Sequence, residues 1–129
     1  MLLFAGWYDA LYATTGNIDY YKAVTERVGN KARDSVRLFM VPDQATCPDG
    51  RVDFVNPPQP GAKVRTIDTT GALERWREKN SLPNTLLVHE VQNADVRDRL
   101  LCPYPQVGVY KGAGNINDPS NFVCRRPAE

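Results

Sequence analysis

Two loops hold the residues whose types could do chemistry. Asp9 follows the short apolar run of residues 2–5, and Thr46 and Cys47 follow a strand candidate at residues 36–41 that is apolar except for Arg37. An aspartate just after a strand can orient a general base. The same residue type also caps turns and helices, and position alone favours that structural role for Asp9. The two loops are therefore the first candidates for a site, but their residue types alone do not define one.

The other candidate groups give weaker signals. His89 is the only histidine, and we interpret it as a surface or interface residue after a short strand rather than as a base. One histidine and three scattered cysteines lack the spacing of a metal site. Tyr104 and Tyr110 could form an aromatic patch for a phenolic ligand, although packing of the chain end onto the body is favoured. Two basic pairs are interpreted as solvated surface: Arg97 with Arg99, and Arg125 with Arg126.

The elements that must position the two loops follow the order of a βαβα unit. Continuous apolar runs predict strands, and apolar residues at helical spacing predict helices. Parallel strands joined by helices are the usual arrangement for this order. The predicted elements are a strand at 2–5, a helix from an Asn17 cap to about 28, a strand at 36–41, a helix over about 69–79 with Leu73 and Trp76 on one face, and a short strand at 85–88.

The chain suits a single α/β domain, because 129 residues fall within the usual domain length. Residues 1–82 form the predicted βαβα unit with the two loops, and residues 83–129 form a structural tail. Ten prolines indicate much ordered loop. Two parallel strands do not make a stable layer, so either the missing strands come from a partner chain or from upstream sequence, or the fragment folds poorly.

Charge and hydropathy exclude several classes of partner. Sixteen Lys and Arg against fifteen Asp and Glu give a net charge of +1, which argues against nucleic acid or an acidic membrane surface. No apolar run approaches the ~20 residues of a membrane-spanning helix. Residues 2–5 lack the basic leader and the length of a secretory signal. Because core-type sequence begins at once, we expect a piece of a longer protein.

Three stretches carry a resemblance to a known family: residues 6–11 around Asp9, residues 41–47 ending in Thr46 and Cys47, and residues 101–107, which read Leu-Cys-Pro-Tyr-Pro-Gln-Val. Shorter matches are Asp19-Tyr20-Tyr21, Ala72-Leu73 with Trp76, Tyr110-Lys111-Gly112, Asn115-Ile116-Asn117-Asp118 and Asn121-Phe122-Val123-Cys124. Together they resemble the C-terminal part of the tannase and feruloyl esterase family. The resemblance implies a C-terminal fragment of an α/β-hydrolase fold, with two or three short parallel strands, two main helices and a long ordered tail.

The resemblance implies a serine-type carboxylic ester hydrolase that acts on phenolic-acid esters. It puts Asp9 at the position of the triad acid and Thr46 at that of the family's histidine. A threonine hydroxyl does not accept a proton near neutral pH, so Thr46 is not a functional base. The 129 residues contain no Gly-x-Ser-x-Gly nucleophile elbow. The family's lid domain, with its calcium site, lies upstream, so no cofactor is expected in this chain.

The cysteine pattern is interpreted through the same resemblance. Cys102 and Cys124 match two tail cysteines that are bonded to each other in the family. The family's partner for Cys47 lies upstream, so Cys47 is expected to be a free thiol. Family members are secreted, whereas this chain has no signal peptide, so the resemblance does not fix its localisation.

Three functional hypotheses remain. The chain is the C-terminal segment of a phenolic-ester hydrolase, inactive alone; or a non-enzymatic remnant or interaction module; or half of a split enzyme that needs a partner chain. A phenolic ester is the expected substrate only if the chain is complemented. The exposed edge of the predicted sheet also predicts self-association.

Overall fold

The computed structural model describes residues 1–7, 14–42 and 64–128. Seven strands and two helices lie in this part of the chain, with 3-10 turns at Gly29–Asp34 and Pro119–Asn121. In chain order they are β1 (Leu2–Gly6), α1 (Thr14–Val28), β2 (Arg37–Val41), β3 (Val64–Thr66), α2 (Thr69–Lys79), β4 (Leu86–Gln92), β5 (Asp95–Leu101), β6 (Val107–Tyr110) and β7 (Phe122–Arg125).

β1 and β2 form a parallel pair, which confirms the predicted strand, helix and strand order. The register runs from Leu2 opposite Arg37 to Gly6 opposite Val41. Both faces of the pair are covered, as is usual for parallel strands. On one face lie Ala5, Leu38 and Met40 with residues of α1, and on the other lie Phe39 and Val41 with Ala72 of α2 and apolar residues of β4 and β5.

The start of α1 differs from the prediction. Asn17 lies inside Thr14–Val28 rather than at the helix cap, so the capping prediction is wrong. The Thr14 hydroxyl donates to the Gly6 carbonyl at 2.8 Å, which fixes the start of the helix against the end of β1. Ile18 and Tyr21 then pack on the sheet at helical spacing. Tertiary packing sets this boundary, and the intrinsic capping preference of asparagine does not.

α2 has the predicted bounds. The Asp68 carboxylate accepts from the Gly71 backbone N–H at 2.9 Å and caps the amino end. Asn80 takes a left-handed φ of 50° and ends the helix. The predicted face with Leu73 and Trp76 is not the buried face of the helix, because Ala72 is 3% exposed whereas Leu73 is 43% exposed. Ala72 is the residue of α2 that packs in the core, and the larger Leu73 faces solvent.

The three-stranded antiparallel sheet has the order β3, β4, β5. The short strand predicted at 85–88 is longer, as β4, and β5 was not predicted. β4 and β5 are joined by a two-residue turn in which Asn93 has a φ of 54°. The β3–β4 ladder pairs Val64 with Val91, so it joins residues on both sides of the predicted boundary at 82 and 83.

The last two strands, β6 and β7, form an antiparallel hairpin within the predicted structural tail. Two contacts attach this part of the chain to the parallel pair. Pro103 forms a bridge with Phe39, and the Tyr104 backbone N–H donates to the Leu38 carbonyl at 2.7 Å. Cys102 is disulfide-bonded to Cys124 of β7, with their Cα atoms 5.6 Å apart. The chain end is therefore held on the free edge of β2.

Candidate functional site

The carboxyl ends of β1 and β2 meet at the edge from which both candidate loops leave. Gly6 lies opposite Val41, and the Trp7 backbone N–H donates to the Val41 carbonyl at 3.2 Å. In α/β folds this edge is where ligands bind. Asp9, Thr46 and Cys47 all lie outside the described residues, so their predicted roles remain predictions.

Two grooves flank Pro42, just beyond the end of β2. The first, of about 450 Å³, lies beside Trp7, Met40 and Tyr104, with Arg126 as a cationic residue in its lining. The second, of about 440 Å³, has an apolar part and a charged part. Its apolar part includes Val41, Val88, Leu101 and Phe122, and its charged part includes Glu90, Arg97, Asp98 and Arg99. Both volumes fall in the range of organic ligand pockets.

A buried ion pair lies at the second groove. The Arg65 Nε donates to Glu90 Oε1 at 2.6 Å, with 7% and 10% of the two side chains exposed. The Arg99 Nε donates to Glu90 Oε2 at 3.0 Å. Burial raises the pKa of Glu90, but the hydrogen bonds and charges of Arg65 and Arg99 outweigh it and lower that pKa below 4.5. Glu90 therefore stays ionised at neutral pH and cannot act there as a general acid.

Sequence reasoning missed this cluster and treated Arg99 as solvated surface. The Arg99 side chain is indeed 55% exposed, but its Nε also spans the strand pair to reach Glu90. Leu86, Val88 and Glu90 are buried, whereas the intervening residues of β4 are not. The alternation of the strand thus points Glu90 inward. That alternation was a usable signal for an ion pair, since a glutamate at a buried position of a strand needs a partner of opposite charge.

His89 lies on the opposite side of β4 from Glu90. Its Nδ1 is 2.5 Å from Asp98 Oδ1, and the two side chains are 48% and 41% exposed. The predicted surface location is confirmed, although His89 lies within β4 rather than after a strand. A histidine and a carboxylate can form part of a catalytic system, but hydrolysis by such a pair also requires a nucleophile.

The two tyrosines that could have formed one aromatic patch are separated. Tyr104 packs edge to face on Tyr21 of α1, with ring centroids 6.0 Å apart. Tyr110 packs against Phe122, and its hydroxyl donates to the Gly114 carbonyl at 2.6 Å. Both rings therefore pack the chain end onto its surroundings, which was the favoured interpretation.

The cysteines Cys102 and Cys124 are paired as the resemblance implied. Within residues 1–7, 14–42 and 64–128, no group of three or more His, Cys, Asp or Glu side chains could hold a metal ion. Nor does any helix in this described part have the length and apolar character needed to cross a bilayer.

The matched family defines the class of protein. The family described as tannase and feruloyl esterase matches residues 1–125. This match extends over nearly the whole sequence, so the chain belongs to the tannase and feruloyl esterase family.

Individual relatives agree with that assignment. A mono(2-hydroxyethyl) terephthalate hydrolase from Piscinibacter sakaiensis is 33% identical over 98% of this chain and 20% of the relative. A probable feruloyl esterase from Arthroderma benhamiae is 32% identical over 98% of this chain and 22% of the relative. The chain thus spans about a fifth of the length of these relatives.

The fold is also similar to solved structures. Feruloyl esterase B from Aspergillus oryzae superposes with a TM-score of 0.72 over 96% of this chain and 26% of that protein, at 22% identity. A second esterase from Aspergillus oryzae gives the same TM-score over 27% of its length, at 24% identity. At these identities the likeness supports the fold alone.

Proposed function

We propose that this chain corresponds to the C-terminal segment of an α/β-hydrolase that cleaves carboxylic esters of aromatic acids, and that it does not cleave them alone. The paired carboxyl ends of β1 and β2 carry this proposal. Gly6 and Val41 lie opposite each other, so the loops that contain Asp9 and Thr46 start from neighbouring positions. A triad acid and base must leave neighbouring strands in this way to meet in one site.

The proposed role of Asp9 is that of the triad acid. In a complete triad, a carboxylate fixes the tautomer of the histidine and stabilises its charged form, while the histidine deprotonates the serine. Thr46 takes the histidine's place in the sequence without its chemistry, because its hydroxyl is not a base near neutral pH. The chain therefore retains the acid position and has lost the base.

The substrate class is proposed from the relatives. One is named as a feruloyl esterase and another as a terephthalate ester hydrolase, and both of those names contain an aromatic acid. The first groove supports an aromatic ligand, because Trp7 and Tyr104 line it beside the strand ends. The cation Arg126 in that lining suits a carboxylate or an electron-rich ring.

The role of each position is testable by grafting. Residues 1–125 would replace the matching segment of a full-length feruloyl esterase, with Thr46 or with Thr46→His. We expect the Thr46 graft to lose turnover of methyl ferulate by a factor on the order of 10⁶, and the Thr46→His graft to regain activity. Adding Asp9→Asn to the active graft should lower kcat about 10⁴-fold.

Two controls make this experiment decisive. A Thr46→Ala graft should be as inactive as the Thr46 graft, because neither residue supplies a base. The isolated chain and its Thr46→His variant should show no saturable turnover of methyl ferulate or methyl gallate, since the 129 residues contain no nucleophile elbow. Turnover by the isolated chain that Asp9→Ala abolishes would contradict the proposal.

The free edge of β1 favours a second candidate, an interaction module or half of a split enzyme. Among the described strands, only β2 pairs with β1. The Met1 carbonyl accepts from the Arg37 N–H, and the Trp7 N–H donates to the Val41 carbonyl. Backbone groups of alternate residues point to opposite edges of a strand, so those of Leu2 and Phe4 face away from β2. These groups can accept a strand from another chain.

A further inference from the structure

A small cavity at the amino end of β2 is lined by three arginines. Arg33, Arg37 and Arg126 share a cavity of about 200 Å³ with Asn84 and Gln106. Tyr21 and the segment from Pro103 to Pro105 complete the part of its lining that the structure describes. No aspartate or glutamate among the described residues lines it. Three like charges are thus gathered in one place on a chain whose net charge is only +1.

Arg37 is half-buried at this cavity and is incompletely hydrogen-bonded. Its Nη1 donates to the Arg33 carbonyl. Its Nε is buried and has no hydrogen-bond partner. A buried donor without a partner costs about 1–3 kcal/mol, and more when the group is charged. Such a donor is rare in native proteins.

None of the three arginines has a carboxylate partner within the described residues. The ion pairs found there involve Arg65, Arg75, Arg99 and His89 instead. Neighbouring guanidinium groups repel each other unless an anion lies between them. Amide donors from Asn84 and Gln106 could add hydrogen bonds to the same anion.

The volume limits the ligand. About 200 Å³ is below the ~300–1,000 Å³ of typical organic ligand sites, so a compact ion fits better than an aromatic acid. The positive charge of three guanidinium groups suits an oxyanion of charge near −2. Arginine is the residue that most often binds phosphate oxygens in a bidentate manner. A phosphate group has this charge and four oxygens for the available donors.

We propose that the cavity lined by Arg33, Arg37 and Arg126 binds a phosphate group, either free inorganic phosphate or the phosphate of a monoester. This cavity adjoins the first groove and shares Tyr104, Pro105, Gln106 and Arg126 with it, whereas Arg33, Arg37 and Asn84 line the cavity and not the groove. Arg37 begins β2 and Val41 ends it, so these two residues lie roughly 13 Å apart at the usual rise per residue. The proposal does not depend on any esterase activity.

The test is calorimetric titration of the 129-residue chain with inorganic phosphate, and separately with phenyl phosphate, at constant ionic strength in chloride. We expect saturable binding of about one equivalent. Arg37→Gln and Arg126→Gln should each weaken it about tenfold or more, the usual value of one charge-assisted hydrogen bond. The matched control is Arg125→Gln, because Arg125 is the adjacent residue and does not line the cavity.

Three outcomes are informative. Arginine-dependent binding of phosphate alone assigns the site to the free ion, and binding of both probes extends it to monoesters. No saturable binding up to about 100-fold molar excess, or equal weakening by Arg125→Gln, would overturn the proposal. Since Arg37 lies in β2 and its loss could unfold the chain, the exposed Arg33→Gln variant provides a second test. Thermal melting of each variant without phosphate shows whether it is folded.

Discussion

The rings of Tyr21 and Tyr104 meet edge to face, with centroids 6.0 Å apart and planes at 88°. Tyr21 lies on α1 and is 5% exposed. Tyr104 follows Cys102, the residue that is covalently joined to β7. One aromatic contact therefore holds the first helix against the segment that anchors the chain end.

This aromatic contact is expected to couple the two residues energetically. A double-mutant cycle with Tyr21→Leu and Tyr104→Leu should give a coupling free energy of about 0.5–1.5 kcal/mol in urea unfolding, the usual value for an edge-to-face pair. The control cycle combines Tyr21→Leu with Tyr110→Leu, because Tyr110 packs against Phe122 instead. That control should be additive, and a coupling near zero for the first pair would contradict the expectation.

Glu90 is expected to make stability depend on acidity. Its folded pKa is below 4.5, because hydrogen bonds and charges from Arg65 and Arg99 outweigh the effect of burial. A lowered folded pKa contributes stability that is full above about pH 4.5 and is lost as the pH falls through the folded pKa. Glu90→Gln should therefore cost about 3 kcal/mol at pH 7 and progressively less below pH ~4.5.

The measurement is urea unfolding of both proteins from pH 7 to pH 3. Glu74→Gln on α2 is the matched control, because Glu74 is exposed and makes the same change of charge. It should shift stability by no more than about 0.5 kcal/mol at any pH. A Glu90→Gln deficit that does not change with pH would show that lost packing is responsible rather than the charge.

The Cys102–Cys124 disulfide should contribute roughly 3 kcal/mol, the chain-entropy value for cysteines separated by 22 residues. Cys124→Ser should lower the free energy of unfolding by that amount in non-reducing buffer and by almost nothing after reduction. Thiol titration of the unfolded, oxidised chain should find one free group, which peptide mapping should assign to Cys47. Detection of no free thiol, with a dimer joined through Cys47, would refute that assignment.

Self-association through β1 remains a prediction. Sedimentation equilibrium should detect a dimer or larger species, because the Leu2 and Phe4 backbone groups face an edge where no described strand pairs. Leu2→Pro should shift the chain towards monomer, since it removes an N–H from that edge. Leu2→Ala shortens the side chain but keeps the N–H, so it should still associate. A compact wild-type monomer with a cooperative thermal transition would be the opposite result.

The elements that the sequence predicts are those whose own residues show a strand or helix pattern. β2 is apolar from Leu38 to Val41, and α2 begins after the capping residue Asp68. β5 carried no such signal, because Arg97 and Arg99, which lie opposite the buried Glu90 and Val88, are charged and exposed. The partner that makes a charge acceptable there, Glu90, lies on another strand. The alternation of β4 marks Glu90 as inward-facing, but nothing in the sequence shows which strand supplies its partner.

Some of the site residues could likewise be predicted from the sequence, and others could not. The bonded cysteines were found through the resemblance to a family, because spacing alone does not determine which cysteines pair. Arg33, Arg37 and Arg126 come from a 3-10 turn, a strand and the last residues of the chain. Only the fold brings them to one cavity. Such a cluster has no motif, so no sequence rule could have predicted it.

The two kinds of strand pairing have consequences for the order of folding. β4 and β5 are joined across a two-residue turn, whereas β1 and β2 pair residues 2 and 37, which are 35 positions apart. Short loops close faster than long ones, and hairpins form in about 1–10 μs. We therefore expect the hairpin to form first and the parallel pair to assemble later. The carboxyl edge from which the Asp9 loop leaves is then a late product of folding.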